Sequence, residues 1–515
     1  MSCGSAWGIG LVGMEGHIVN VEVSLTDGIP GLTLVGMPDR AVREAQDRVK
    51  SALAACKVMW PDRRVVINLS PASVPKVGSG YDLAIALAVM AACGKVDRQS
   101  THNCVHIAEL GLDGRTHPVR GVLPAVKAAV ERGAGCVVVA QQSLSEASLV
   151  PGIKVIGVQH LAQAIAVHGG KADMPKLTHV PQTVGPLAEP SEAMCGDLSE
   201  VRGQGVPRRA LEVAAAGAHH LLMIGSPGAG KTMLASRMPS ILPALNTEDA
   251  IEVTALRSLA GLFEAHQGLI TRSPFEAPHH SATLPAIVGG GTGIPMPGSA
   301  SLAHKGVLFL DEAPEFGTRV LDALRQPLES GVVVLRRAAG HATYPARFQL
   351  VMAANPCPCG FAGSRKVECT CTPWQRVRYL ERLSGPLLDR IDIQIHVDTP
   401  TMKALGASEE PESSTVVAAR VVAARAAQAK RWGPHGWLTN SEVPGPFLRR
   451  PESGLDPVLL GHIDAAVDKG TLTMRGADRV LRLAWSIADL AGDVSPKLTH
   501  LGEAMSLRTQ TGRRQ

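Results

Sequence analysis

Apolar positions along the chain change period several times, and those changes divide it into regions. Residues 17–25, HIVNVEVSL, alternate apolar and polar side chains, the period-2 pattern of a half-buried strand. RRVVINL at 63–69 also reads as extended. DRAVREAQDRVKSALAAC at 39–56 carries apolar residues at helical spacing, with Pro38 and Asp39 as start signals. YDLAIALAVMAA (81–92) and LPAVKAAVERG (123–133) predict two more helices, and CVVVA (136–140) predicts a buried strand. Residues 1–168 therefore read as an α/β domain. Residues 169–197 are rich in proline and small polar residues with no apolar period, the signature of a linker. Strand and helix patterns alternate again over 198–400. From 413 to 509 the pattern is helical, in STVVAARVVAARAAQAKRW and then GADRVLRLAWSIADLAG. No internal repeat is visible.

Composition narrows the partners. A chain of 515 residues is too long for one ordinary core. Hydrophobic residues at 45% and charged residues at 19% fit a soluble, folded protein. Aromatic residues are only 3%, which argues against nucleic-acid binding dominated by base stacking. The net charge of +5 permits a polyanionic partner without requiring one. The N-terminal MSCGSAWGIGLVGMEGH lacks the basic and long apolar regions of a signal peptide, and no run of apolar residues predicts a membrane span. The chain thus reads as cytoplasmic, where structural disulfides are rare.

The strongest chemical signal is LLMIGSPGAGKT. An apolar strand, 221–224, runs into Gly225, Ser226, Pro227, Gly228, Ala229, Gly230, Lys231 and Thr232, followed by a helix. Such glycines let backbone N–H groups curl around phosphates. Lys231 supplies a charge to the β/γ-phosphates, and the Thr232 hydroxyl suits Mg²⁺. Strand–loop–helix context makes an incidental glycine-rich turn the weaker reading. Further on, GVLFLDE places Asp311 and Glu312 at the end of an apolar strand. Asp311 suits the Mg²⁺ of a bound nucleotide, and Glu312 can polarise an attacking water. The bland alternative is an acidic pair capping the next helix. Asn355 ends a third apolar strand, where its amide can orient the same water.

Together GSPGAGKT, GVLFLDE, AANPCPCG and LSGPLLDRID resemble an AAA+ ATPase of the magnesium-chelatase/MCM branch. On PHHSATLPAIVGGGTGIPMPGSASLAHKGVLFLDEAPEF the chain is identified as a member of the ComM (YifB) subfamily of Mg-chelatase-like proteins. The resemblance spans essentially the whole chain. It implies a P-loop AAA+ domain over 198–400 and a C-terminal helical lid over 413–509. It also implies that Asn355 is the sensor-1 residue, Arg390 an arginine finger reaching a neighbour's γ-phosphate, and Arg475 the sensor-2 arginine. A finger in trans couples firing to assembly. For Arg390 an ion pair with Asp389 or Asp392 is the equally weighted alternative. EAPHHSATLPAIVGGGTGIP corresponds to the branch's helix-2 insertion, and ESGVVVLRRAAGHATYPARF to its pre-sensor hairpin. Arg336, Arg337 and His341 then flank a hairpin tip suited to a phosphate backbone, or to nothing more than solvent. Glu276 departs from the family pattern, which has a basic residue there.

Cys357, Cys359, Cys369 and Cys371 form two C-x-C arms nine residues apart, in an insertion over 356–372 after the sensor strand. Four thiolates fit a closed tetrahedral site for structural Zn²⁺, with unligated reduced thiols as the second reading. Cys3, Cys56, Cys93, Cys104, Cys136 and Cys195 are dispersed and read mostly as small core residues. The first domain is similar to the Lon-protease-like (ribosomal S5 domain 2-like) fold. There Gly80 occupies the position of the protease serine, with Ser79 one place early. The dyad lysine falls near Pro124, with Lys127 a turn beyond. A Ser–Lys dyad needs direct hydrogen-bond reach, so the domain is expected to be non-proteolytic.

Without the resemblance, the residues reach an ATP-driven, Mg²⁺-dependent motor. The resemblance adds a homo-oligomeric, hexameric ring that moves on DNA and promotes branch migration in recombination or transformation. Two other classes stand beside it: the ATPase subunit of a metal chelatase, and an ATP-dependent Lon-like protease.

Overall fold

The computed structural model describes residues 2–174, 196–264, 267–291, 295–337, 340–363, 367–400 and 411–508. Within them, the alternating N-terminal run folds as an antiparallel pair, Ser2–Val12 against Glu15–Thr26, in register from Ser2↔Leu25 to Val12↔Glu15. Val19, Val21, Val23 and Leu25 point inward and are buried, while Asn20, Glu22 and Ser24 face outward. Five further strands complete a mixed seven-stranded sheet. Gly31–Val35 and Arg64–Ser70 extend it on one side; Cys104–Ile107, Cys136–Ala140 and Lys154–Val158 extend it on the other. The helix Asp82–Ala92 is apolar on nearly every face because every residue in it is buried. Gly4 lets the first strand approach that helix: a Cβ there would lie 2.2 Å from the Ala92 nitrogen. Asp39 caps the helix Arg40–Ala55, accepting from the Val42 N–H at 2.8 Å, as its place before the helical pattern predicts.

The second sheet has five strands in the order Phe275–Glu276, Val307–Leu310, Gln349–Ala354, Leu221–Ile224 and Ile393–His396. Every neighbouring pair is parallel. The four longer strands are buried almost throughout, which explains why they read as unbroken apolar runs without alternation. The order matters for chemistry. The strand leading to Asn355 lies between the strand leading to Gly225 and the strand leading to Asp311, so all three deliver their next residues to one edge.

The C-terminal helices Ser414–Trp432, Pro457–Asp468, Met474–Ala491 and Leu498–Ser506 pack around Trp432 and Trp485, whose rings meet edge-on at 5.4 Å. The Trp432 indole N–H donates to Asn440 Oδ1 at 2.7 Å, which satisfies the one polar atom this buried side chain carries. These helices share one apolar core with the P-loop strand and the helix Lys231–Ile241.

The first sheet's body also touches the second. The helix Thr247–Ala260 packs beside Val122–Glu131, and the buried Glu146 carboxylate accepts from the Ser258 hydroxyl (2.5 Å) and the Leu123 N–H (2.9 Å). Burial pushes the Glu146 carboxyl up, and those two donors oppose it.

Two readings of the cysteines change here. Cys104 and Cys136 stand directly opposite in a parallel strand pair and are disulfide-bonded, a partnership set by strand register that a separation of 32 residues does not reveal. Cys3 is exposed rather than core, because it lies on the outward side of its strand. Cys195 lies outside the described residues, as does most of the expected linker.

Candidate nucleotide site and cysteine cluster

At the end of Leu221–Ile224 the chain must turn without side chains. A Cβ on Gly225 would lie 2.1 Å from the Val397 carbonyl oxygen. Gly228 and Gly230 have φ of 73° and 85°, the left-handed region that glycine enters without penalty, and Gly230 immediately precedes the helix Lys231–Ile241. The loop therefore ends on a helix N-terminus, whose free N–H groups and dipole favour a bound anion.

Lys231 is buried under this loop. Its ammonium donates to the carbonyls of Gly225 (2.6 Å) and Ser226 (3.1 Å) and to Asn355 Oδ1 (3.2 Å). Burial pushes its pKa down, and the carboxylates of Asp311 and Glu312 oppose that shift. Thr232 donates its hydroxyl to Asp311 Oδ2 at 2.6 Å, so two hard oxygen donors converge as an Mg²⁺ site requires. The other Asp311 oxygen accepts the Glu312 N–H at 2.9 Å. Glu312 is held at φ 50°, a region a side chain other than glycine seldom adopts, and its Oε2 lies 3.2 Å from His280 Nδ1. The P-loop, the acidic pair and Asn355 expected from sequence are thus one cluster; His280 joins it unannounced.

Arg390 and Arg475 are not in that cluster. Arg390 closely precedes the strand Ile393–His396, at the N-terminal edge of the sheet, whereas the P-loop follows the C-terminal ends of parallel strands. Its guanidinium pairs with Glu329 and donates to the Pro386 carbonyl. Neither Asp389 nor Asp392 is its partner. Asp389 instead accepts from Arg475 at 3.2 Å, and Asp392 from Arg479 at 2.6 Å and His219. Helical spacing brought the lid arginines onto those aspartates, leaving Arg390 to a glutamate 61 residues upstream. The Arg475 side chain remains 76% exposed. Beside Arg390 runs a cleft of about 900 Å³ lined also by Arg347, Arg425, Arg479 and Arg482.

The cysteine arms close on each other. Sγ separations are 3.4 Å for Cys357–Cys359, 3.6 Å for Cys357–Cys369 and 3.5 Å for Cys359–Cys369, and all four sulfurs lie within 4.8 Å. A tetrahedron of zinc–sulfur bonds of about 2.3 Å has edges of about 3.8 Å, whereas a disulfide needs about 2.05 Å. The donor set fits zinc. The same loop braces the nucleotide loop: a Cβ on Gly360 (φ 85°) would lie 2.6 Å from the Pro227 ring carbons. No sequence pattern signals that contact.

Elsewhere, Val332–Arg337 and Gly340–Pro345 form the expected antiparallel hairpin, with Arg336 opposite His341 and both exposed. Its tip residues, 338 and 339, and the Arg337 side chain lie outside the described residues. Glu276 is compensated by Arg257 at 3.0 Å; burial pushes its carboxyl up and that arginine opposes it. In the first sheet's body, Ser79 donates to the Glu109 carboxylate, while Lys127 is exposed.

Residues 197–405 match the family described as magnesium chelatase, subunit ChlI; residues 21–143 match subunit ChlI of Mg-chelatase, and 411–508 its C-terminal part. Competence protein ComM of Haemophilus influenzae is 40% identical over 504 residues, 96% of each chain. Protein YifB of Escherichia coli is 42% identical over 507 residues, 96% of this chain and 95% of that one. A Lon protease of Mycolicibacterium smegmatis is 30% identical over 156 residues, 29% of this chain and 20% of that protein.

Proposed function

The chain belongs to the ComM and YifB family of magnesium-chelatase-like AAA+ ATPases, and from that premise we propose that it is a ring-forming motor that uses ATP to move along DNA. The observation that carries the ATPase part is the convergence of Lys231, the Thr232–Asp311 pair, Glu312 and Asn355 on one sheet edge, beside a helix N-terminus.

Each residue then has a task. The loop from Gly225 to Thr232 wraps the phosphates with its N–H groups, and Lys231 exchanges its carbonyl partners for β/γ-phosphate oxygens. Thr232 and Asp311 would hold the Mg²⁺ that accompanies the nucleotide, which would supply positive charge to its phosphates. Glu312 takes a proton from the attacking water, which Asn355 orients. Arg390 lies on the far edge, and Arg475 is held beside it by pairing with Asp389, the residue before Arg390 in the chain, which supports their serving the site of a neighbouring subunit. A ring, which we take to be a hexamer, follows from a site completed in trans.

DNA as the track is supported by the hairpin bearing Arg336 and His341 and by the name of the competence protein, 40% identical over nearly the full chain. We read the activity as branch migration in recombination or transformation. The four cysteines are assigned a structural Zn²⁺. A proteolytic role is disfavoured because Ser79 is engaged by a carboxylate rather than by a lysine.

The test separates binding from turnover. Lys231→Ala should lose productive ATP use, whereas Glu312→Gln should bind ATP and hydrolyse it very slowly. Wild-type turnover by Glu312→Gln would remove the glutamate from its role.

A further inference from the structure

Three arginines from the C-terminal helical region close on one short stretch of chain. Asp389 to Asp392 joins the helix Gly385–Leu388 to the strand Ile393–His396, and Arg390 is mounted in it. Arg475 reaches Asp389 at 3.2 Å. Nη1 of Arg508 donates to the Ile391 carbonyl at 3.0 Å and to the Asp392 carbonyl at 3.2 Å. Arg479 donates to Asp392 Oδ1 at 2.6 Å, and His219 Nδ1 lies 3.3 Å from the other oxygen. Every residue of the stretch other than Arg390 is thereby tied to the lid.

The ties differ in strength. Arg475 and Asp389 are both exposed, and such a pair is weak. Asp392 is buried; burial would raise its carboxyl, but His219 and Arg479 outweigh that and hold it below the usual carboxylate range. Arg508 is anchored by the chain that carries it. The Gln394 N–H donates to the Leu507 carbonyl at 2.9 Å, so the end of the lid pairs in parallel with the edge strand Ile393–His396. Leu507 is buried in the same apolar core as Ile393 and Val480. The Arg390 guanidinium, by contrast, pairs with a glutamate that is 65% exposed, a contact readily exchanged for another anion. The backbone beneath Arg390 is fixed; its tip is not.

We propose that Arg508 and Arg479 are positioning residues for Arg390: they fix the backbone that carries it, so the lid of one subunit sets how well that subunit completes its neighbour's site. This rests on the reading of Arg390 as a finger acting in trans. Neither residue needs to touch ATP. A displacement of about 1 Å in a catalytic group can cost about a hundredfold in rate, so loss of the clamp is felt as slow turnover rather than weak binding.

In steady-state ATPase assays Arg508→Ala should lower kcat about ten- to a hundredfold, with ATP affinity unchanged in a fluorescent-nucleotide titration. Arg508→Gln, shorter and uncharged, carries the same expectation should the alanine variant fail to fold. The defect should also complement in trans. Rings assembled by co-expressing Arg508→Ala with Lys231→Ala, and purified through a tag on each, should regain activity, because an intact loop then faces a well-placed finger. Rings of Arg508→Ala with Arg390→Ala should not. Damage to the subunit's own nucleotide site would leave both mixtures inactive. A kcat for the Arg508 variant within twofold of wild type, or a loss that Lys231→Ala subunits do not repair, overturns the proposal. Arg390→Ala, run beside it, tells the two failures apart. If that variant is inactive and the Arg508 variant is normal, only the positioning role falls. If Arg390→Ala hydrolyses ATP normally, the finger reading falls and takes the positioning role with it.

Discussion

Gly360→Ala probes the join between the cysteine loop and the nucleotide loop, and its effect can be worked from two numbers. At φ 85° an alanine is strained by about 1–2 kcal/mol. Its new Cβ would also stand 2.6 Å from Pro227 Cγ and Cδ. Carbons at rest sit about 3.5–4.0 Å apart, so Pro227 or the cysteine loop must retreat by about 1 Å. Overpacking of that kind costs about 1–3 kcal/mol. Gly363 supplies the control. It has φ 79°, and a methyl group placed there would meet nothing within 4 Å among the described residues, so Gly363→Ala serves as the variant with the strain and no such collision. Both variants should melt earlier than wild type. Only Gly360→Ala should also bind ATP more weakly, by a factor between about five and a hundred if the collision is relieved by the nucleotide loop. Fluorescent-nucleotide titration and thermal unfolding of both proteins read the two effects apart. Equal ATP affinity in the two variants would refute the claim that the cysteine loop supports the nucleotide loop.

Purified protein should carry about one zinc per chain after dialysis against metal-free buffer, measured by elemental analysis; four freely titratable thiols in the native fold would reject the clip. Arg390→Ala should bind ATP normally and hydrolyse it about a thousandfold more slowly or worse. Mixing it with Lys231→Ala should restore activity at interfaces where an intact loop meets an intact finger. Exchange of labelled subunits without any return of activity would contradict the shared site. Burial holds the imidazoles of His106 and His220 neutral, pushing their pKa values down to about 3 and about 4. The unfolded chain titrates near 6.5 and binds more protons below that. Stability is therefore full above about pH 6.5 and falls toward pH 4 by roughly 1.4 kcal/mol per unit for each group. Melting temperatures that stay flat from pH 7 to about 4.5 would contradict this.

What the sequence discloses follows contiguity. Gly225 to Thr232 adjoin one another, and Asp311, Glu312 and Asn355 each follow an apolar run, so strand ends could be inferred and their shared edge anticipated. The cysteines are likewise close enough in sequence for their convergence to be expected, and their sulfurs do converge. Partnerships made by register or by packing of distant segments were not visible. His280 meets Glu312 only because two short parallel strands align; Arg390 finds Glu329 across 61 residues; Cys104 stands opposite Cys136. Ser79 meets Glu109 by the same kind of distant packing, which the dyad argument could exclude as a lysine contact but could not name. Gly360 against Pro227 is a matter of one loop's path, and glycine's sequence symbol says nothing about which neighbour forbids a side chain.

The central claim is that ATP turnover at this site drives movement on DNA, and a branch-migration assay tests it most directly. Purified wild-type protein, with a labelled four-way junction and ATP·Mg²⁺, should convert the junction to its migrated products, and Glu312→Gln should bind the junction and leave it unconverted. Robust ATP hydrolysis that DNA does not stimulate, with junctions left intact by the wild-type protein, would contradict the account.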